Sequence, residues 1–173
     1  KSKILKSFFQ ENKKNFKVNF VEELKPLGTA GSLSKIKKNI KSPFFVTNCD
    51  IIINTDYSDI LKYHEKNKNY LTLVASFKNF TIPYGDCKIN KDGILQKINE
   101  KPIINLLANT GMYLVDKKIL KEIPLNTRID FPELLTRLKK KKFKIGVFPI
   151  SEDAWIDIGQ WNEYKKAIDK LNF

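Results

Sequence analysis

At 173 residues with a formal net charge of +13, the chain has the length of one domain with its own core, and no apolar run is long enough to span a bilayer. The Lys-rich start lacks the apolar segment and cleavage site of a signal peptide, so a soluble cytoplasmic protein is expected and no membrane partner. The charge is almost all Lys dispersed among Asn, Glu and Asp. Only Arg128 and Arg137 could supply the bidentate fork that reads bases, so no nucleic-acid partner is expected, although an acidic substrate would gain from the same field. Cys49 and Cys87 lie far apart with no second ligand at metal spacing, which argues against zinc and against a disulfide framework.

Ile4, Leu5, Phe8 and Phe9 fall on one helical face, and the alternation of Phe and Val with Lys and Asn over residues 16–20 predicts a strand. A chain that opens helix then strand reads as an α/β sheet entered partway through. Pro26, Gly28 and Gly31 then break any regular pattern before a short amphipathic helix over residues 32–40. A glycine loop opening a helix can bring backbone N–H groups close to a ligand, and an ordinary strand-to-helix connection fits this stretch equally well. There is neither a G-x-G-x-x-G nor a Walker lysine pattern.

Residues 44–53, FFVTNCDIII, read as a buried strand, a polar break carrying Asp50, and a second apolar run. In open α/β sheets the ligand crevice lies at the carboxyl ends of such strands. A helix follows over residues 57–68, capped by Thr55 or Asp56 and containing the only histidine, His64, read as a packing or surface residue. Strands are predicted at 71–77, 87–89, 94–98, 109–115 and 143–149, the second and third joined by the hairpin turn Asn90-Lys91-Asp92-Gly93. Helices are predicted at 117–122 and at 131–140, the latter capped by Asp130. Trp155-Ile156-Asp157-Ile158-Gly159 ends the pattern with an acid in a strand-to-helix turn before a helix over 160–171. No repeat, linker or internal boundary is visible, so residues 1–173 read as one domain.

Asp50 and Asp157 each stand at the end of an apolar strand. Converging in one crevice, they would give two hard oxygen ligands, the arrangement Mg²⁺ uses when shared with substrate phosphates. Read together, LGTAGSL at 27–33, NCD at 48–50, PYG at 83–85, EKP at 100–102, NTGMY at 109–113 and WIDIG at 155–159 resemble the sugar-1-phosphate nucleotidyltransferases. The similarity is greatest to the branch of mannose-1-phosphate and aminosugar-phosphate guanylyltransferases. It covers nearly the whole chain in the right motif order.

The resemblance implies a Rossmann-like, mixed, mainly parallel α/β sheet flanked by helices. It also implies transfer of a nucleotidyl group to a sugar 1-phosphate with loss of pyrophosphate. In those terms Asp50 and Asp157 hold Mg²⁺, and Lys101 places the sugar phosphate as a flexible point charge. Glu100 accepts from sugar hydroxyls, with Asn109 and Thr110 as further sugar contacts and Gly85 as a close backbone approach. Asn48 and the turn residues Leu27, Gly28, Thr29 and Gly31 fall in substrate-binding motifs. Glu23 matches a position facing the nucleobase, and a carboxylate can accept the paired N–H donors of guanine, which leans toward GTP. Glu22 is adjacent and leaves that register open. Glu100 with Lys101 also fits a surface ion pair, and Asn109 a turn residue.

Two departures matter: Cys49 stands where the family more often has Gly, and the family's first strand with its G-x-G-T-R loop is absent from these residues. The expectation is a truncated enzyme domain, inactive alone, with the missing N-terminal segment of the same protein as its complement. Its rival from another class is a non-catalytic nucleotide-sugar-binding regulatory subunit. A homo-oligomer is compatible with the sequence.

Overall fold

The computed structural model describes residues 2–12, 15–36, 40–159, 161, 164 and 168. Where the sequence shows no boundary, the chain divides into two compact units, Lys1–Ile40 with Lys118–Lys141 and Lys41–Lys117 with Lys142–Phe173. Each unit is assembled from two separated stretches of sequence, so no single linker marks the division.

The larger unit is built on a four-stranded sheet. In chain order its strands are β1 (Phe44–Thr47), β3 (Leu71–Thr81), β6 (Ile103–Val115) and β7 (Ile145–Ile150), arranged β1-β6-β3-β7. β6 runs antiparallel to both neighbours and β7 parallel to β3, so three of the four strands point one way and β6 alone is reversed. The mixed α/β class is therefore observed, but most hydrogen-bonded pairs are antiparallel. β2 (Ile51–Ile53) and β8 (Trp155–Asp157) form a separate antiparallel pair.

The core of this unit joins Val74, Met112 and Leu114 of the sheet to Ile53 of β2, Ile150 of β7 and Ile60 of helix α3 (Tyr57–Lys66). Asp56 caps α3 by accepting the Ser58 N–H at 2.8 Å, a contact typically contributing about 1 kcal/mol. His64 is buried against β3, its Nδ1 2.8 Å from Thr72 Oγ1. Burial pushes its pKa below the ordinary imidazole value, partly opposed by the charges of Asp116 and Glu65. It packs, as its sequence context predicts.

β1 is predicted as a strand buried on both faces, yet it lies at the sheet edge with Phe45 and Thr47 exposed. β3 and β6 are longer than their apolar patterns. Past Phe77 and Leu107 they continue as a two-stranded ribbon to Thr81 and Ile103. Phe77, Phe80, Ile103, Ile104, Leu106 and Leu107 are exposed there. With neither face covered, no alternation of burial is imposed and the period-2 signal is lost. The hairpin of β4 (Asp86–Ile89) and β5 (Leu95–Asn99) closes as predicted, with Asn90 Oδ1 accepting from the N–H groups of Asp92 and Ile94.

The smaller unit holds helices α1 (Ser2–Glu11), α2 (Gly28–Gly31) and α4 (Phe131–Lys140). α1 buries none of its residues. Phe9 meets Phe8 and Phe20 edge to face, with ring centroids 5.5 and 5.9 Å apart. Residue 16 is a bend and residues 17–20 take no regular structure, pairing with no strand among the described residues; an alternating segment becomes a strand only when a neighbour satisfies its backbone. The helix predicted over 32–40 is a 3₁₀ turn at Ser32–Lys35, and residues 37–39 are not among those described. Likewise 117–122 is a 3₁₀ turn. Most of the helix predicted at 160–171 lies outside the described residues, though Trp161, Tyr164 and Ile168 are helical.

Candidate active site

In the larger unit the two predicted acids come together. Ile51 pairs with Asp157 across β2 and β8, and the Ile158 N–H donates to the Asp50 carbonyl at 2.9 Å, so the backbone fixes one acid beside the other. Gly159 shows where their side chains point. A Cβ placed there would lie 2.9 Å from Asp50 Oδ2 and 3.1 Å from Asp157 Oδ1, so both oxygens border one small space. The Gly159 N–H holds Asp157 Oδ1 at 3.1 Å.

Among the described residues neither acid joins a salt bridge, and no third His, Cys, Asp or Glu completes a metal cluster. Two carboxylates this close repel unless a cation lies between them. The donor set is two hard oxygens and no nitrogen or sulfur, which suits an ion that keeps several waters and takes the rest of its shell from phosphate oxygens. β8 is steadied from β3: Lys78 Nζ lies 5.2 Å from the centre of the Trp155 ring and 3.3 Å from Glu152 Oε1.

Asn48, two residues before Asp50, is seated by a bulge in β6. Opposite Val74 and Ala75 the register jumps from Met112 to Asn109, leaving Thr110 and Gly111 as extra residues. Gly111 adopts φ +86, and a Cβ on it would fall 2.6 Å from Asn48 Nδ2. Only glycine permits both the conformation and the approach. The Asn48 N–H donates to the Gly111 carbonyl at 3.1 Å.

Thr110, expected to touch the sugar, is instead a bulge residue. It is 2% exposed, and its hydroxyl donates to the Val74 carbonyl at 2.8 Å and accepts from the Met112 N–H at 3.3 Å. Asn109 is exposed, with Oδ1 accepting from the Gly111 N–H at 3.0 Å and Nδ2 donating to Tyr113 Oη at 2.8 Å. That leaves its amide one N–H and one lone pair for a ligand. Burial raises the Tyr113 pKa above the ordinary phenol value.

Gly85 and Glu100 meet at the base of the β4–β5 hairpin. A Cβ on Gly85 would lie 3.2 Å from Glu100 Oε2. Lys101 beside it is exposed and adopts φ +44, a conformation that costs a non-glycine residue about 1 kcal/mol or more and that gathers at functional sites. Among the described residues Glu100 and Lys101 form no ion pair, so the surface-pair alternative is not what the structure holds.

The smaller unit carries the glycine turn. Its backbone donors are engaged internally: the Leu27 N–H donates to Glu23 Oε2 at 2.9 Å, Thr29 N–H to Asp130 Oδ1 at 2.8 Å, and Ala30 N–H to the Ile129 carbonyl at 3.1 Å. The three amides are therefore not an anion cradle. The glycines serve close packing instead. Cβ atoms on Gly28, at φ +76, and on Gly31 would fall 2.6 Å from the Ile129 carbonyl oxygen and 2.7 Å from that of Thr127.

The structure also separates the two adjacent acids. Glu22 is paired with Lys6, which holds its carboxyl below the usual range, whereas Glu23 is exposed with acceptor capacity left beyond its bond to Leu27. Sequence reading missed the parts played by Asp130, Gly159, Gly111 and Tyr113. Each acts through a contact with a residue distant in the chain or through space it leaves open, and spacing carries no signal for either.

The sequence profile of the nucleotidyl transferase family matches residues 1–172. The chain belongs to the nucleotidyl transferase family. It is 30% identical over 166 residues to a mannose-1-phosphate guanyltransferase of Emericella nidulans, covering 89% of this chain and 44% of that protein. It is 27% identical over 166 residues to the D-glycero-alpha-D-manno-heptose 1-phosphate guanylyltransferase of Campylobacter jejuni, covering 95% of this chain and 72% of that one. Crystal structures of HddC from Yersinia pseudotuberculosis superpose with TM-score 0.70 at 30% identity, covering 98% of this chain and 73% of that one. A complex of the same protein with GMP-PN matches at 29% identity, TM-score 0.70, over 98% and 74% of the two chains. The chain thus spans less than half the length of the mannose-1-phosphate guanyltransferases it matches. Among its described residues no helix is long and apolar enough to cross a membrane.

Proposed function

We propose that this nucleotidyltransferase chain carries the acid pair and substrate contacts of a sugar-1-phosphate guanylyltransferase, transferring GMP from GTP to a sugar 1-phosphate with release of pyrophosphate. The observation that carries the reading is the approach of Asp50 and Asp157 to one point at Gly159. The names of the relatives support a sugar 1-phosphate as acceptor and guanosine as the nucleoside.

The nucleophile in such a transfer is already a phosphate anion, so no strong base is required and positioning with charge neutralisation supplies most of the rate. That suits a site whose histidine is buried elsewhere. Asp50 and Asp157 would hold Mg²⁺, which when bound offsets negative charge at the α-phosphate under attack. Lys101 places the sugar phosphate, Glu100 accepts from the sugar hydroxyls above Gly85, and Asn48 and Asn109 direct amides at the substrate. Glu23 accepts the paired donors of guanine.

The G-x-G-T-R loop that the resemblance assigns to the β and γ phosphates is not among these 173 residues. Pyrophosphate release from GTP and mannose 1-phosphate tests the reading. Turnover is expected from the full-length protein and none from these 173 residues alone, and a full-length protein that binds substrates without turnover would establish the regulatory-subunit alternative. Replacing Glu23 by Gln in the full-length protein is expected to shift preference toward UTP or dTTP by on the order of tenfold to a hundredfold, because one acceptor becomes a donor facing a donor. Competition among the four triphosphates measures the shift, and an unchanged preference removes Glu23 from base recognition.

A further inference from the structure

Asp130 stands at the N-cap position of α4 but caps nothing there. The Phe131 N–H, at the first position of the helix, donates to Thr29 Oγ1 at 2.9 Å, while Asp130 Oδ1 takes the Thr29 N–H at 2.8 Å. The two residues thus exchange caps across the chain: Thr29 begins α4, and Asp130 begins the turn at Gly28–Gly31. A residue serving α4 alone would need no such exchange, because Asp at an N-cap ordinarily accepts from its own helix.

Two backbone bonds run alongside, Ala30 N–H to the Ile129 carbonyl at 3.1 Å and Ile129 N–H to the Leu27 carbonyl at 2.9 Å. Gly28 and Gly31 let the backbones close to a distance that any side chain would block. The backbone bonds fix how close the two segments lie. The paired side-chain bonds fix their register, since each requires the other residue's backbone at one position.

We propose that Asp130, with Thr29, is a positioning residue for nucleotide recognition, locking the Leu27–Gly31 turn in the one conformation that presents Glu23 to the nucleoside. This rests on the guanylyltransferase reading above. Glu23 is tied to the same turn through Leu27 at 2.9 Å, so a displaced turn moves the base-reading carboxylate with it.

The test is GTP and UTP binding to the full-length protein by equilibrium titration below its thermal transition. Asp130→Ala and Thr29→Val are each expected to weaken GTP binding about tenfold and to narrow the preference for GTP over UTP, as a misplaced binding group does. Asp130→Asn and Thr29→Ser keep an acceptor oxygen and are expected to restore both affinity and preference to within about twofold. The double variant Thr29→Val with Asp130→Ala should be little worse than either single one, because the two bonds act as a unit. Variants that melt earlier yet keep wild-type affinity and preference overturn the proposal and leave Asp130 a cap alone. A wild-type protein that binds no nucleoside triphosphate overturns the guanylyltransferase reading instead.

Discussion

Two glycine-bearing turns, each reading in the sequence as a break before a helix, differ in what the missing side chain admits. At Gly28 and Gly31 the absence of side chains lets the backbone of residues 127–131 close in, and the N–H groups of Leu27, Thr29 and Ala30 are satisfied inside the fold. At Gly159 the absent side chain lets two carboxylate oxygens close in instead, a Cβ there falling 2.9 Å from Asp50 Oδ2 and 3.1 Å from Asp157 Oδ1. The lesson is that glycine in a turn marks a close approach, while the approaching group decides whether the turn is framework or site. Backbone carbonyls lie opposite the first turn, and two acid oxygens, which repel each other, lie opposite the second.

The acid pair gives the largest expected effects. Asp50→Asn and Asp157→Asn, each in the full-length protein, should lower turnover by about a thousandfold with the fold intact, since an amide keeps the shape and removes the charge. The double variant should be little worse than either one. Near-normal turnover in either single variant would remove that acid from the site and erase the contrast between the turns.

Gly159→Ala sharpens the same point from the other side. Its methyl would lie 2.9 Å from Asp50 Oδ2 and 3.1 Å from Asp157 Oδ1, so the carboxylates must splay. Because the neighbours are side-chain oxygens that can yield, turnover should fall by roughly a hundredfold and more Mg²⁺ should be needed to reach half-maximal rate, with little change in melting. A Mg²⁺ titration of the variant measures this. An unaltered Mg²⁺ requirement would mean that the space is not where the cation sits.

Gly28→Ala should behave in the reverse way. Its methyl would meet the Ile129 carbonyl at 2.6 Å on a backbone already at φ +76, and neither backbone can move aside cheaply. A loss of about 2 kcal/mol in unfolding free energy is expected, read by denaturant melts. Turnover loss with unchanged stability would make this turn resemble the other one.

The smallest effect comes from His64, buried against β3 of the larger unit. Its folded pKa lies below the value near 6.5 of an unfolded histidine, so burial favours the neutral ring. The folded state therefore gains nothing from its protonation. Stability tied to His64 is complete above about pH 6.5 and is lost progressively as pH falls from there through the lowered folded pKa. His64→Gln should flatten that part of the stability profile without altering the pH dependence of turnover. A matching change in turnover would connect the larger unit's core to catalysis.

The sequence by itself determined the family, the order of most elements and the identity of the acid pair. These are read from apolar periodicity and from motifs whose residues are neighbours in the chain, as in NCD at 48–50 and WIDIG at 155–159. It misread residues 16–20 as a strand and β1 as buried, because an alternating or apolar run records what a segment can bury and not whether a neighbour is there to bury it. It read Thr110 as a sugar contact because hydroxyls serve ligands and bulges alike, and only the 2.8 Å bond to the Val74 carbonyl distinguishes the two. Tertiary structure alone decided that Asp130 caps Thr29, 101 residues away, that Gly111 makes room for Asn48, and that Gly159 lies between two acids. In each case the deciding quantity is a distance of about 3 Å between atoms far apart in sequence, set by how the backbones pack.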